Sequence, residues 1–191
     1  MTSKLKRHGS DNDTLMVFFG GMAKLFGGIP PFEFLNFTEK HFSHITRIFY
    51  VDLHQSYYTK GFEGFSKNYD ESVEHLREEM AGYNKVNFYG VSAGGYAAIL
   101  FGSLLNVNQV VSFGGPTKID RGPYQDLIPV INDKTLYKLY CIPGVGPHDP
   151  IHVRRVDELQ KPNVKCDYTR KAVKILRDNG TLLKILQESL E

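Results

Sequence analysis

About six stretches of this chain are apolar at successive positions, and stretches with helical spacing separate them. The apolar runs cover residues 14–19, 46–51, 86–91, 107–113, 136–142 and 164–168. Gly20-Gly21 stops the first and Gly114-Gly115-Pro116 the fourth, as expected of strands that end in turns. Between them the spacing predicts helices over about 32–43, 69–81, 93–105, 124–131, 151–159, 170–178 and 181–190. The second of these places Val73, Leu76 and Met80 on one face. Strands that are apolar on both faces and alternate with helices predict an α/β fold. The expected form is a three-layer α/β/α sandwich around a mostly parallel sheet of about six strands. Residues 1–13 are polar and read as a mobile tail, leaving 14–191 as a single domain.

Composition narrows this picture. A chain of 191 residues that is 41% hydrophobic and 23% charged can bury one real core. The net charge of +2 gives no argument for nucleic acid or an acidic membrane surface. The Lys4-Leu5-Lys6-Arg7 run reads as a solvated part of the tail. No apolar run approaches membrane-spanning length, and the N-terminal residues lack the hydrophobic core of a signal peptide. A cytoplasmic location is therefore the expectation. Cys141 and Cys166 fall inside predicted strands and read as reduced thiols without the partners of a metal site. No metal or other cofactor is expected.

The most informative stretch is 86–100. Its first half is a strand, its second half a helix opened by small residues, and Gly90-x-Ser92-x-Gly94 lies at the junction. That is a nucleophile-elbow pattern, in which a sharp strand-to-helix turn lifts a serine oxygen above the sheet. The alternative is a glycine-rich packing turn. A phosphate cradle is disfavoured, because the stretch lacks the Gly-Lys-Ser/Thr ending of a P-loop and the spacing of a dinucleotide fingerprint. In parallel sheets ligands bind beyond the carboxyl ends of the strands. Attention therefore falls on Gly20-Gly21, Asp52, His54, Ser92, Gly114-Gly115, residues 148–152 and Thr169-Arg170.

With these residues in view, the chain resembles a short member of the α/β-hydrolase superfamily that lacks the first two strands. The resemblance rests on the elbow, on the aromatic–glycine loop Tyr57-Tyr58-Thr59-Lys60-Gly61 after Asp52, and on Asp149-Pro150-Ile151-His152. It covers about residues 14–190 and implies a strand order of 2-1-3-4-5-6. It also implies a nucleophile, acid and histidine in that chain order. Ser92 matches the nucleophile, and Asp149 the acid in the loop after the second-last strand. The amides of Ala93 and Gly21 match the oxyanion donors, with Met22 beside them. The histidine expected after the last strand is absent: Arg170 stands near its place, and no histidine follows His152. Arginine stays protonated and cannot serve as a general base.

Among the seven histidines, His152, His148 and His54 lie at the strand-end edge, whereas His8, His41, His44 and His75 do not. His152 is the first choice for a replacement base, three residues from Asp149 on one helical turn; the alternative is that it caps or packs. Asp52 either orients a base or substrate hydroxyl or caps the following turn. Tyr57, Tyr58, Phe62 and Phe65 either wall a pocket or anchor their loop. Met22, Asp52, His54 and Tyr58 are the candidate substrate contacts.

Two functions follow. One is a serine hydrolase, an esterase, thioesterase or acyl transferase, acting on a small soluble acyl ester, with no nucleic-acid or membrane partner. The other is a catalytically degenerate relative that binds a ligand or partner at the strand-end crevice. One fold hosts many functions, so the fold alone does not choose.

Overall fold

The computed structural model of the chain describes residues 2–22, 32–142 and 149–191, with Asp149 described for its backbone alone. Residues 27–31 lie outside the described residues, as do 143–148 with His148, the greater part of a stretch, 143–150, whose glycines and prolines predict a loop. Seven strands run in chain order: β1 (Lys4–Arg7), β2 (Asp11–Met22), β3 (Ile45–Asp52), β4 (Lys85–Val91), β5 (Gln109–Phe113), β6 (Leu136–Tyr140) and β7 (Val164–Asp167). They form one sheet in the order β1-β3-β2-β4-β5-β6-β7. All neighbours are parallel except β1, which pairs antiparallel with β3 at the edge. The order of the six parallel strands is the one the resemblance implies.

The helices are α1 (Leu35–His41), α2 (Tyr69–Met80), α3 (Ala93–Leu105), α4 (Asp149–Asp157), α5 (Val173–Asp178) and α6 (Thr181–Glu188). The stretch expected to be helical near 124–131 holds a single 3-10 turn at Ile128–Val130. Two cores flank the sheet. Val17, Phe19, Val86 and Phe88 face one of them, with Leu76 of α2, the apolar side chains of α3, and Val153 and Val156 of α4. Phe18, Phe49, Tyr89 and Val111 face the other, where Leu176 of α5 and Leu182, Ile185 and Leu186 of α6 cover them. Adjacent residues thus serve opposite layers, as the alternation of a strand requires. Helix α3 is buried from Ala93 to Ser103, which explains its small and apolar composition.

The N-terminal residues differ from expectation. In place of a mobile tail, residues 4–7 form β1, and β2 begins at Asp11. The physical reason is alternation. Lys4 and Lys6 point to one side and share Glu79 of α2, while Arg7 reaches Glu39 of α1 and Leu5 joins the core beneath it. The thiols are free: Cys141 is buried just beyond β6, and Cys166 is half-buried in β7 with its pKa pushed up to about 12 by burial.

Where β2, β4 and α3 meet, backbone touches backbone. A Cβ on Gly94 would collide with the Phe19 carbonyl, and one on Gly90 with the Gly94 carbonyl. Gly94→Ala should therefore cost about 3 kcal/mol or more of stability, read as a drop in the chemical-denaturation midpoint. An unchanged midpoint would mean that this three-way contact is looser than described.

Candidate active site

Ser92 joins β4 to α3 with φ 53 and ψ −119, a conformation that non-glycine residues rarely adopt. Such a backbone costs about 1–3 kcal/mol and persists only when its surroundings hold it. Here its N–H donates to the Phe113 carbonyl at 2.9 Å, and its own carbonyl accepts from Tyr96 N–H at 3.1 Å. The serine is half-buried, at the head of a helix whose first amides have no intrahelical partner. Ala93 N–H is one of these, in the position expected of an oxyanion donor. Gly21 lies alongside: a Cβ there would sit 3.6 Å from Ser92 Cβ and 3.5 Å from the Val91 carbonyl. Its N–H donates to Glu33 Oε2 at 3.1 Å. Glu33 is exposed as a residue; desolvation raises the pKa of its carboxyl group, against the lowering effect of the Gly21 bond.

Ser92 and His152 line one hollow of about 620 Å³, together with Tyr57, Lys118, Arg121 and Gln125. Volume does not single it out, since hollows of about 600 Å³ against α2 and about 660 Å³ between α1 and α5 are similar. Its chemistry does, because it alone of these three contains the elbow serine. The Arg121 guanidinium lies over the Tyr57 ring, 5.6 Å from its centroid, and fixes one wall. The Ser92 hydroxyl makes no hydrogen bond to another described residue.

His152 is half-buried on the first turns of α4. Its Nδ1 accepts the Thr117 N–H at 3.2 Å, and Thr117 Oγ1 donates to the His152 carbonyl at 3.2 Å. Arg155, which also bonds Asp126, holds Thr117 through its carbonyl at 3.2 Å. A ring whose Nδ1 accepts a backbone N–H is neutral and carries its proton on Nε2. Asp149 begins α4, but its side chain lies outside the described residues.

The other expected contacts are not brought to this hollow. Asp52 is buried, and its carboxylate accepts from Ser56 N–H at 2.7 Å and Tyr58 N–H at 3.1 Å. Of its two open readings, the cap is the one with partners: it ties down a loop in which Gln55, Tyr57 and Tyr58 all have positive φ. Tyr58 is fully buried and donates to the Gly20 carbonyl at 2.8 Å, so it holds the backbone before Gly21 and has no surface for a substrate. Phe62 anchors the same loop in the core, Phe65 is exposed, and Tyr57 alone of these aromatics lines the hollow. His54 pairs with Glu63 at 2.7 Å. Met22 is 39% exposed at the end of β2. Arg170 is exposed beyond β7. Sequence reasoning missed Glu33 and the segment carrying Thr117, Lys118 and Arg121. Only the position of that segment, directly after β5, pointed to it.

No protein-family model matches the chain, and no curated protein matches it by sequence. Solved structures do. The capsule O-acetyltransferase of Neisseria meningitidis serogroup A superposes with a TM-score of 0.69 at 12% identity, over 94% of this chain and 89% of that one. The acyl-protein thioesterase 2 of Zea mays gives 0.60 at 12% identity over 100% of both. The S-formylglutathione hydrolase FrmB of Staphylococcus aureus gives 0.61 at 10% identity, over 94% and 84%. The chain has the α/β-hydrolase fold. In this chain Ser92 lies at the turn between β4 and α3. Among the described residues no helix is long and apolar enough to cross a membrane. Among the described residues no group of three or more His, Cys, Asp or Glu is placed to hold a metal ion.

Nitrogen-detected spectra of the imidazoles at neutral pH should show His152 as the Nε2–H tautomer. A proton on Nδ1 would mean that Thr117 is not its partner in solution.

Proposed function

We propose that the chain is a serine acyl hydrolase or acyl transferase acting on an ester or thioester of a small soluble acyl group. The observation that carries the reading is the backbone of Ser92, a serine kept at φ 53 between the first amide of α3, at Ala93, and Gly21 at the end of β2. The neighbours' names agree in kind: an O-acetyltransferase, a thioesterase and an S-formylglutathione hydrolase. In this reading Ser92 Oγ attacks the carbonyl carbon while its proton passes to His152. The Ala93 and Gly21 amides hold the oxyanion. Collapse breaks the bond to the leaving group, which takes the proton from His152. Water or an acceptor hydroxyl then attacks the acyl-serine, gives up its proton in turn and releases the product. For Nε2 to accept a proton, the ring must carry its own proton on Nδ1 and donate it in a hydrogen bond to an acceptor, in place of accepting the Thr117 amide. Asp149, at the start of the same helix, is the residue assigned that role. Hydrogen bonds of this kind often form only when substrate binds. The free thiols fit a reducing, cytoplasmic setting.

A second reading, a ligand-binding protein that has lost catalysis, is favoured by one specific observation. Both Nδ1 of His152 and the Gly21 amide are already engaged.

Labelling with a fluorophosphonate probe separates the two. Ser92→Ala should abolish labelling, and His152→Ala should slow it by about 10²-fold or more. Loss in Ser92→Ala with no change in His152→Ala would retain the nucleophile and remove His152 as base. No labelling of folded wild-type protein would favour the binding reading.

A further inference from the structure

The amide that the proposed reaction needs for its oxyanion already holds one. Gly21 N–H donates to Glu33 Oε2 at 3.1 Å, and Glu33 Oε1 lies 3.7 Å from where a Gly21 Cβ would be. Both carboxylate oxygens therefore crowd the glycine that adjoins Ser92. A carboxylate oxygen carries a formal negative charge on an sp² centre, so it offers this N–H a charge-assisted acceptor, stronger than a neutral carbonyl. The position is reinforced from behind. Tyr58, wholly buried, donates to the Gly20 carbonyl, which fixes the direction in which the next amide points.

We propose that Glu33 is a specificity and gating residue, an internal occupant of the oxyanion position that an acyl oxygen must displace before Ser92 can react. The proposal rests on the serine-hydrolase reading of the site. Its chemical consequence is selectivity. An incoming carbonyl that polarises strongly, such as an activated ester or thioester, competes for the amide, whereas an acyl group bearing its own negative charge next to the carbonyl meets Glu33 and is repelled. Protonation removes the charge, weakens the acceptor and opens the position. Burial of the carboxyl group favours that neutral form, so the opening falls at a pH above the ordinary carboxyl range. The charged and titratable groups around it are Asp52 and Tyr58 behind the Gly20–Gly21 backbone, Lys40 and His41 on α1, and Lys174 and Arg177 on α5, which line with Glu33 the hollow between α1 and α5 rather than the one that holds Ser92. Arg177 is already paired with Asp178.

Two measurements decide it. In the first, the Gly21 amide resonance of wild-type protein is followed from about pH 8 to about pH 4, beside Glu33→Ala. The expected result is a titration of the Gly21 amide, centred above the ordinary carboxyl value, that vanishes in Glu33→Ala. In the second, the fluorophosphonate labelling rates of the two proteins are compared over the same range. Glu33→Ala should label about tenfold faster at the alkaline end, and the two rates should converge at the acid end. Equal rates at every pH, with a Gly21 amide that does not follow Glu33, would overturn the proposal. If neither protein labels, the amide titration alone decides: a resonance that follows Glu33 upholds the occupied amide and removes only the hydrolase reading. A resonance that stays still removes the gate.

Discussion

Everything at the candidate site depends on a place where three backbones approach without side chains between them. Gly94, on the first turn of α3, lies against the Phe19 carbonyl of β2, and Gly90 of β4 lies against the Gly94 carbonyl. This contact draws the helix start down onto two adjacent strands and leaves Ser92 only a left-handed path between them. That path costs free energy and persists because the surrounding structure holds it. The hydrogen bonds from Ser92 to Phe113 and from Tyr96 to Ser92 then define its orientation. The same approach sets Gly21, two residues past Phe19, next to the serine. One close contact thus positions the nucleophile candidate and both amide donors.

Around this point the rest of the site is held by buried polar anchors rather than by the surface residues that line it. Asp52 gathers the amides of a loop whose backbone repeatedly takes positive φ, and Tyr57 reaches the hollow because of that loop shape. Thr117, itself buried, plays the matching part on the other side: it bonds His152 through both its amide and its hydroxyl, and Arg155 braces it. Such anchors contribute order more than net stability, since each replaces bonds that the unfolded chain makes to water.

Much of this was legible in the sequence where the determinants are local. The parallel sheet followed from runs that are apolar on both faces, and the elbow from glycines set two residues either side of a serine. What was not legible depends on distant partners. Residues 4–7 read as solvated because their acidic partners lie 32 to 75 residues away. The alternation that makes them a strand has meaning only beside Glu79 and Glu39. An aspartate after a strand caps or binds equally well on paper, and only the amides folded over Asp52 choose. Glu33 sat inside an amphipathic-looking segment, with nothing in its neighbours to mark a carboxyl group 12 residues beyond the amide it meets.

The edge strand β1 has a consequence for how the molecule behaves in a crowded solution. The outer strand of a sheet offers unpaired amides and carbonyls to any extended chain that drifts past, and long apolar edges of this kind recruit their own copies. Here the edge is four residues long and three of them are cationic. Each cation is already engaged, by Glu79 or Glu39, so an incoming strand would have to break ion pairs and face positive charge to dock. The short basic run that resembles a loose tail thus has the two features, brevity and charge, by which sheet edges are blunted against pairing with further strands.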